Sequence, residues 1–150
     1  MYIDGVTQNL HSSETGNPYR ASNIKLPDET RLIGFHCKDN GVVYGLAASV
    51  SVPMWSGDRA VYTVTDTDWT CSGVAESGWE TLDFKETSNW KPAVYGNTEV
   101  PLPSDIDTSA RWIWGDPGGE GSDVYCRKDT DIKSFAKCKF RTALPYQRPI

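Results

Sequence analysis

Turn-forming residues interrupt this sequence at short intervals, and the apolar segments between them are too short for helices. No window of a dozen residues keeps apolar positions at i, i+3, i+4 and i+7 without a Gly, a Pro or a β-branched cluster. Alternation with a period of two instead favours strands at Arg31–Lys38, Val42–Val52, Ala60–Val64, Ala110–Trp114, Asp123–Arg127 and Phe135–Leu144. Short strands separated by turns predict an all-β chain, folded as a two-sheet antiparallel β-sandwich.

One hairpin is predicted locally, at residues 31–50. Asn40-Gly41 lies between two apolar segments, and a type I′ turn needs positive φ at both of its central positions, which Asn and Gly tolerate. The sequence has neither a linker composition nor an internal repeat. We therefore expect one domain over residues 1–150.

Charge and hydropathy disfavour nucleic acid and membrane partners. The net charge is −5 and no Lys/Arg cluster offsets it, so the attraction that drives binding to a phosphate backbone is missing. The longest apolar run, Gly45–Val52, is much shorter than the ~20 residues that span a bilayer. Residues Met1–Gly5 have neither a basic nor an apolar segment, and we expect no signal peptide in this sequence.

Four cysteines occur without any C-x-x-C pair, which disfavours zinc ribbons and thioredoxin-type redox sites: Cys37, Cys71, Cys126 and Cys138. The even count predicts two disulfides and a secreted, extracellular protein. Four buried free thiols in a cytosolic protein are the alternative.

Catalytic motifs are missing, so we expect no enzyme. The sequence has two histidines, and no Walker loop, H-E-x-x-H or strand-linked G-x-G-x-x-G accompanies them. His36 lies within a predicted strand and is interpreted as a packed residue. The pairs Asp66/Asp68 and Asp105/Asp107 are interpreted as turn caps rather than as the two carboxylates of a glycosidase.

An exposed aromatic ring beside carboxylates suggests a ligand site. About two-thirds of the six Trp are expected to be buried, whereas Trp55, before Ser56-Gly57-Asp58, is the candidate for an exposed ring at a loop tip. We place the site at one end of the sandwich, with the ligand-binding residues Trp55, Asp58, Asp116, Glu120 and Asp123. No cofactor is required, and Ca²⁺ at the Asp116–Asp123 loop is a minority hypothesis beside a solvated turn.

Several segments resemble a known family: Trp79-Glu80-Thr81-Leu82-Asp83-Phe84, Asn89-Trp90-Lys91-Pro92-Ala93, Ala110-Arg111-Trp112-Ile113-Trp114 and Val124-Tyr125-Cys126-Arg127. Together they resemble the galactose-binding-domain-like jelly rolls of extracellular animal proteins and bacterial rhamnosidases. Glu86-Thr87-Ser88 departs from the family's D-F-x-D-S stretch. The resemblance implies a jelly roll in which Cys71 bonds to Cys126, which leaves Cys37 for Cys138.

The resemblance also implies two functions that the sequence does not separate. One is a lectin-like module that binds glycans without catalysis. The other is a structural or protein-contact module of an extracellular matrix or adhesive assembly, which predicts a flat apolar patch and self-association into a homo-oligomer.

Overall fold

The computed structural model describes residues 1–9, 21–38, 45–96, 100–115 and 123–136. These residues are 36% strand and 5% helix, and their paired strands are all antiparallel. The predicted all-β class is therefore confirmed. In chain order the strands are β1 (Tyr2–Ile3), β2 (Val6–Thr7), β3 (Leu32–Lys38), β4 (Ser49–Pro53), β5 (Arg59–Val64), β6 (Thr70–Ser72), β7 (Lys91–Pro92), β8 (Val94–Tyr95), β9 (Ile113–Trp114) and β10 (Asp123–Asp129).

The main sheet has six strands in the order β2-β1-β3-β10-β6-β7, while β4-β5 and β8-β9 form two separate pairs. Its centre is the pairing of β3 with β10 over seven residues. Asp4 and Gly5 both have positive φ, 48° and 86°, in the turn between β1 and β2. This Asp-Gly turn has the backbone of a type I′ hairpin.

The predicted hairpin at residues 31–50 is wrong. β10 pairs with β3 along its whole length, and on the other edge β1 pairs with Ile33 and Gly34. The following apolar segment joins other strands, since Leu46 bridges to Ile113 and β4 pairs with β5. Asn40 and Gly41 lie outside the described residues.

The predicted strand from Phe135 to Leu144 is also wrong at its start, because residues 132–136 are helical. The Asp131 carboxylate accepts a hydrogen bond from the Ser134 backbone N–H (3.3 Å), and Phe135 N–H donates to the Asp131 carbonyl (3.2 Å). Asp131 therefore caps a helical turn. Residues 137–144 lie outside the described part of the chain.

The core lies on one face of the main sheet. Inward-facing residues of β3, β6 and β10 pack with residues of β9 and the neighbouring loops: Ile33, Leu46, Trp69, Cys71, Ala93, Ile113, Trp114, Val124 and Cys126. The predicted Cys71–Cys126 disulfide is confirmed within this core, where the two cysteines are directly opposite in the β6–β10 register with Cα atoms 4.1 Å apart. It closes a loop of 55 positions, which stabilises the fold by roughly 4 kcal/mol in the chain-entropy model.

The second predicted disulfide, Cys37 to Cys138, is not formed, because the Cys37 thiol is free. Cys37 faces Val124 across the β3–β10 register and packs against the core. Its partly buried side chain therefore packs there as a small apolar group. Cys138 lies outside the described residues.

The opposite face of the sheet carries a layer of aromatic rings. Trp79 makes edge contacts with Tyr2 and Tyr125, at centroid distances of 5.2 and 5.3 Å, and stacks on Trp90 at 5.9 Å. Gly34 makes room for this layer, because a Cβ there would lie 3.0 Å from the Trp79 ring. The segment before β7 is thereby held against the sheet.

Replacing Gly34 with Ala should lower the free energy of unfolding by about 1–3 kcal/mol, the usual effect of overpacking a filled site. Gly73→Ala is the matched control, because a Cβ at Gly73 meets nothing within 4 Å. Urea unfolding of both variants measures the difference. Equal stabilities would contradict the tight packing of Trp79 on Gly34.

The free thiol predicts a loss of stability in alkali. Burial raises the pKa of Cys37 from its ordinary value of 9.0 to about 11, so the folded state keeps a proton that the unfolded chain releases. The free energy of unfolding should fall as the pH rises from 9 to 11, on the order of 2 kcal/mol from this group. In urea unfolding, the free energy of Cys37→Ala should decline less steeply with pH than that of wild type. Equal slopes in the two proteins would show that the Cys37 thiol is not the cause of the decline.

Candidate functional site

The turn between β4 and β5 carries the candidate ring, Trp55. Met54 N–H donates to the Asp58 carbonyl (2.8 Å), and Gly57 N–H donates to the Met54 carbonyl (3.1 Å). This closes a three-residue loop in which Gly57 has a φ of 88°, the left-handed position that such hairpins give to glycine. Trp55 is therefore a loop residue, beyond the last strand pair of the hairpin, Pro53 and Arg59.

The exposed fraction of Trp55 is 73%, which confirms the predicted ring at a loop tip. Four of the six Trp are buried, as the sequence predicts: Trp69, Trp79, Trp90 and Trp114. The indole of Trp55 thus presents a flat apolar surface to solvent. Such a surface suits the C–H face of a sugar ring.

Polar groups around the turn are oriented by hydrogen bonds. Ser56 Oγ donates to Asp58 Oδ2 (3.1 Å), which fixes the carboxylate beside the turn and leaves its other lone pairs available. Arg59 donates from Nε to Ser51 Oγ (2.7 Å) and from Nη2 to the Ser51 carbonyl (3.0 Å). The guanidinium therefore braces the two strands just below the tip.

Asp123 has a different neighbourhood. Its carboxylate lies 2.9 Å from His36 Nε2, and the His36 ring stacks on Tyr125 at 4.5 Å. Asp131 N–H donates to Tyr62 Oη (2.6 Å), which places β5 beside the C-terminal end of β10. Asp123 begins that strand, and seven residues span about 20 Å.

The structure therefore brings Trp55 and Asp58 together, and within the described residues no hydrogen bond, ion pair or ring contact joins them to Asp123. Asp116 and Glu120 lie outside the described residues. Their part in a ligand site, and Ca²⁺ binding at their loop, stay predictions.

The carboxylate pairs cap turns where the structure describes them. Asp66 Oδ1 accepts the Asp68 N–H (2.8 Å), and Asp107 Oδ1 accepts the Ser109 N–H (2.9 Å). Hydrogen bonds from the Ser109 side chain and backbone lower the pKa of Asp107. Among the described residues no group of three His, Cys, Asp or Glu side chains is arranged to hold a metal ion.

A polar cleft beside Arg127 was not predicted from the sequence. It has a volume of about 280 Å³ and is lined by Asp68, Thr70, Glu86, Arg127, Lys128 and Asp129. The one local indication is that Arg127 lies inside a strand and next to a core cysteine, where a charged side chain needs partners. Those partners come from distant segments, which periodicity does not reveal.

Comparison of this chain with family models, with curated proteins and with solved structures finds no match. In the described part of the chain, no helix has the length and apolar character needed to cross a membrane.

Replacing Trp55 with Ala should change the free energy of unfolding by less than about 0.5 kcal/mol, because the ring is largely exposed. Trp69→Ala is the contrasting variant: that ring is buried and its Nε1–H donates to the Val64 carbonyl (2.9 Å), so a loss of about 3–5 kcal/mol is expected. Thermal and urea unfolding compare the two. A large loss from Trp55→Ala would show that the ring covers the core instead.

Proposed function

We propose that this chain is a non-catalytic carbohydrate-binding module of a secreted protein, with a galactose-binding-domain-like jelly-roll fold. The observation that carries the proposal is the exposed Trp55 ring beside an oriented Asp58 carboxylate at the β4–β5 turn. The ring offers a stacking surface, and the carboxylate accepts hydrogen bonds from sugar hydroxyls. Both groups stand on a short, closed turn, so little ordering is needed when a ligand binds.

The architecture supports the jelly-roll proposal. The inner face of the six-stranded sheet packs against Leu46, Ala93, Ile113 and Trp114, which belong to or adjoin the separate strand pairs. Two antiparallel layers around one core are what a sandwich requires. The disulfide supports a secreted location, since such bonds persist in oxidising compartments.

A single sugar should bind weakly at this turn. An exposed ring and one carboxylate replace only a few of the hydrogen bonds that the sugar makes with water. Useful avidity would then come from several copies of the module on one scaffold.

A protein-contact or structural role in an extracellular assembly is the second candidate. Val61, on the same hairpin as Trp55, has an exposed fraction of 40%, so this hairpin adds aliphatic surface to its aromatic ring. A protein partner or a second copy of the chain would contact both the Trp55 ring and the Val61 side chain.

A glycan array tests the proposal, and the Trp55→Ala variant locates the site. We expect the variant to lose about tenfold in affinity for any glycan bound, the effect of one aromatic stack of ~1.5 kcal/mol. Trp55→Phe is the matched control and should retain most of the binding. Glycan binding that survives Trp55→Ala, with unfolding curves unchanged, would contradict the placement of the site at this turn. A parallel array with chelator tests the Ca²⁺ hypothesis.

A further inference from the structure

We propose a second ligand site in the cleft beside Arg127, with a neutral sugar residue as its ligand. This cleft is separate from the β4–β5 turn, and the inference does not rest on the proposed function. Its volume, about 280 Å³, is close to the lower limit of typical small-molecule sites, roughly 300 Å³. That is room for one sugar ring.

The cleft is built on the outward face of the main sheet. Arg127 and Thr70 are opposite each other in the β10–β6 register, and Asp129 lies two residues further along β10, on the same face. The segment that carries Phe84 and Glu86 covers this face. Phe84 packs its ring 5.2 Å from the Arg127 Cζ, and Glu86 accepts a hydrogen bond from Thr70 Oγ1 (2.7 Å).

Arg127 has an exposed fraction of only 4%, yet its guanidinium is not fully hydrogen-bonded. Nη2 donates to the Thr81 carbonyl (3.2 Å), whereas Nε and Nη1 have no hydrogen-bond partner among the described residues. Glu86 Oε1 lies 3.8 Å from Nε, and Asp129 Oδ1 lies 3.7 Å from Nη2. Both carboxylates balance the charge but are too distant to accept a good hydrogen bond.

Unpaired N–H groups of a buried cation destabilise the fold, so an acceptor oxygen from a ligand would be strongly favoured there. The charges of the cleft decide what kind of oxygen this is. Three carboxylates surround the two cations Arg127 and Lys128, and this excess of negative charge disfavours an anion. A hydroxyl oxygen can accept from the guanidinium while its proton is donated to Glu86 or Asp129. A sugar ring, which carries several hydroxyls, fits this combination of guanidinium donors and carboxylate acceptors best.

Access to the guanidinium requires a small movement. Nε and Nη1 are almost completely covered, and so a ligand must displace a side chain to reach them. The Glu86 side chain is 38% exposed, and its carboxylate accepts a hydrogen bond from Thr70 Oγ1. We therefore assign Glu86 as the side chain that rotates away from Arg127 when the sugar enters.

Titration by NMR of the whole chain tests the site, with the Arg127 Nε–H resonance as the readout. The probes are the methyl glycosides of galactose, glucose, mannose and fucose, with N-acetylneuraminic acid as an anionic counterpart. We expect at least one neutral glycoside to shift the Arg127 resonance saturably, together with the Thr70 and Glu86 amides, and the anionic sugar to leave them unchanged. If every neutral glycoside leaves the Arg127 resonance unmoved at millimolar concentration, or if the anionic sugar binds more tightly, the inference fails.

Variants of exposed residues separate ligand binding from a merely structural guanidinium. The Asp129 side chain is 84% exposed and Asp68 is exposed, so Asp129→Ala and Asp68→Ala should fold normally. Each should weaken the glycoside about tenfold, the effect of losing a hydrogen bond to a charged group. Asp28→Ala is the matched control: this carboxylate is exposed and lies in neither proposed site, so the variant should leave cleft affinity unchanged. Unaltered affinity in both cleft variants would overturn the site.

The same titration keeps the two proposals apart. Shifts confined to residues 54–58 would refute the cleft and support the hairpin site. Shifts confined to the cleft residues, and retained in Trp55→Ala, would support the cleft site and refute the hairpin site.

Discussion

The pairing of β3 with β10 is the interaction on which the remaining structure depends. It joins seven residues on each strand, and its closest partners in sequence, Lys38 and Asp123, are 85 positions apart. Because side chains alternate along a strand, this one register assigns Ile33, Cys126 and Val124 to the core and sends their neighbours to the other face. A slip of one residue would turn Arg127 toward the core and turn Cys126 away from it.

The outward face is stabilised differently from the core. Here rings of the segment before β7 lie on the sheet, and Glu76 accepts hydrogen bonds from Thr87 Oγ1 and Trp90 Nε1, both at 2.8 Å. A buried indole N–H and a hydroxyl thus share one carboxylate, which folds the segment back on itself. The position of Phe84 and Glu86 over Arg127 follows from this arrangement, so the shape of the cleft is a product of packing on that face.

Local pattern predicts β3, β5 and β10 well, because each is a run of strand-forming residues with the period of a strand. It fails for the partner of β3. The hairpin predicted at residues 31–50 pairs β3 with the next apolar segment, whereas Leu46 and β4 of that segment pair elsewhere. Asp4-Gly5 forms a hairpin beside β3, between strands of only two residues each. The Asp-Gly pair could have been recognised from the sequence. The pairing of β3 with a strand 85 or more positions away could not, because it depends on which inward faces complete a common core.

The candidate site, too, is predictable from local pattern only in part. Trp55 at a turn could be predicted, since Ser56-Gly57-Asp58 is a local pattern and the ring needs no tertiary partner to be exposed. The sequence pattern groups Asp123 with Trp55, yet in the structure the Asp123 carboxylate pairs with His36 on the neighbouring strand. The cleft residues come from three separate segments, and only the sheet register brings Thr70 and Arg127 face to face.

The disulfide divides the chain into parts with different fates under proteolysis. The disulfide joins the chain from Cys71 to Cys126 into one covalent ring. A single cut between these two residues therefore leaves one connected molecule. The β4–β5 turn lies outside the ring, and the cysteine nearest the amino terminus is a free thiol. A protease that cleaves beside Trp55 would therefore separate the chain into two pieces held by non-covalent packing alone, and the most exposed aromatic ring of the described residues stands where the disulfide gives no covalent protection.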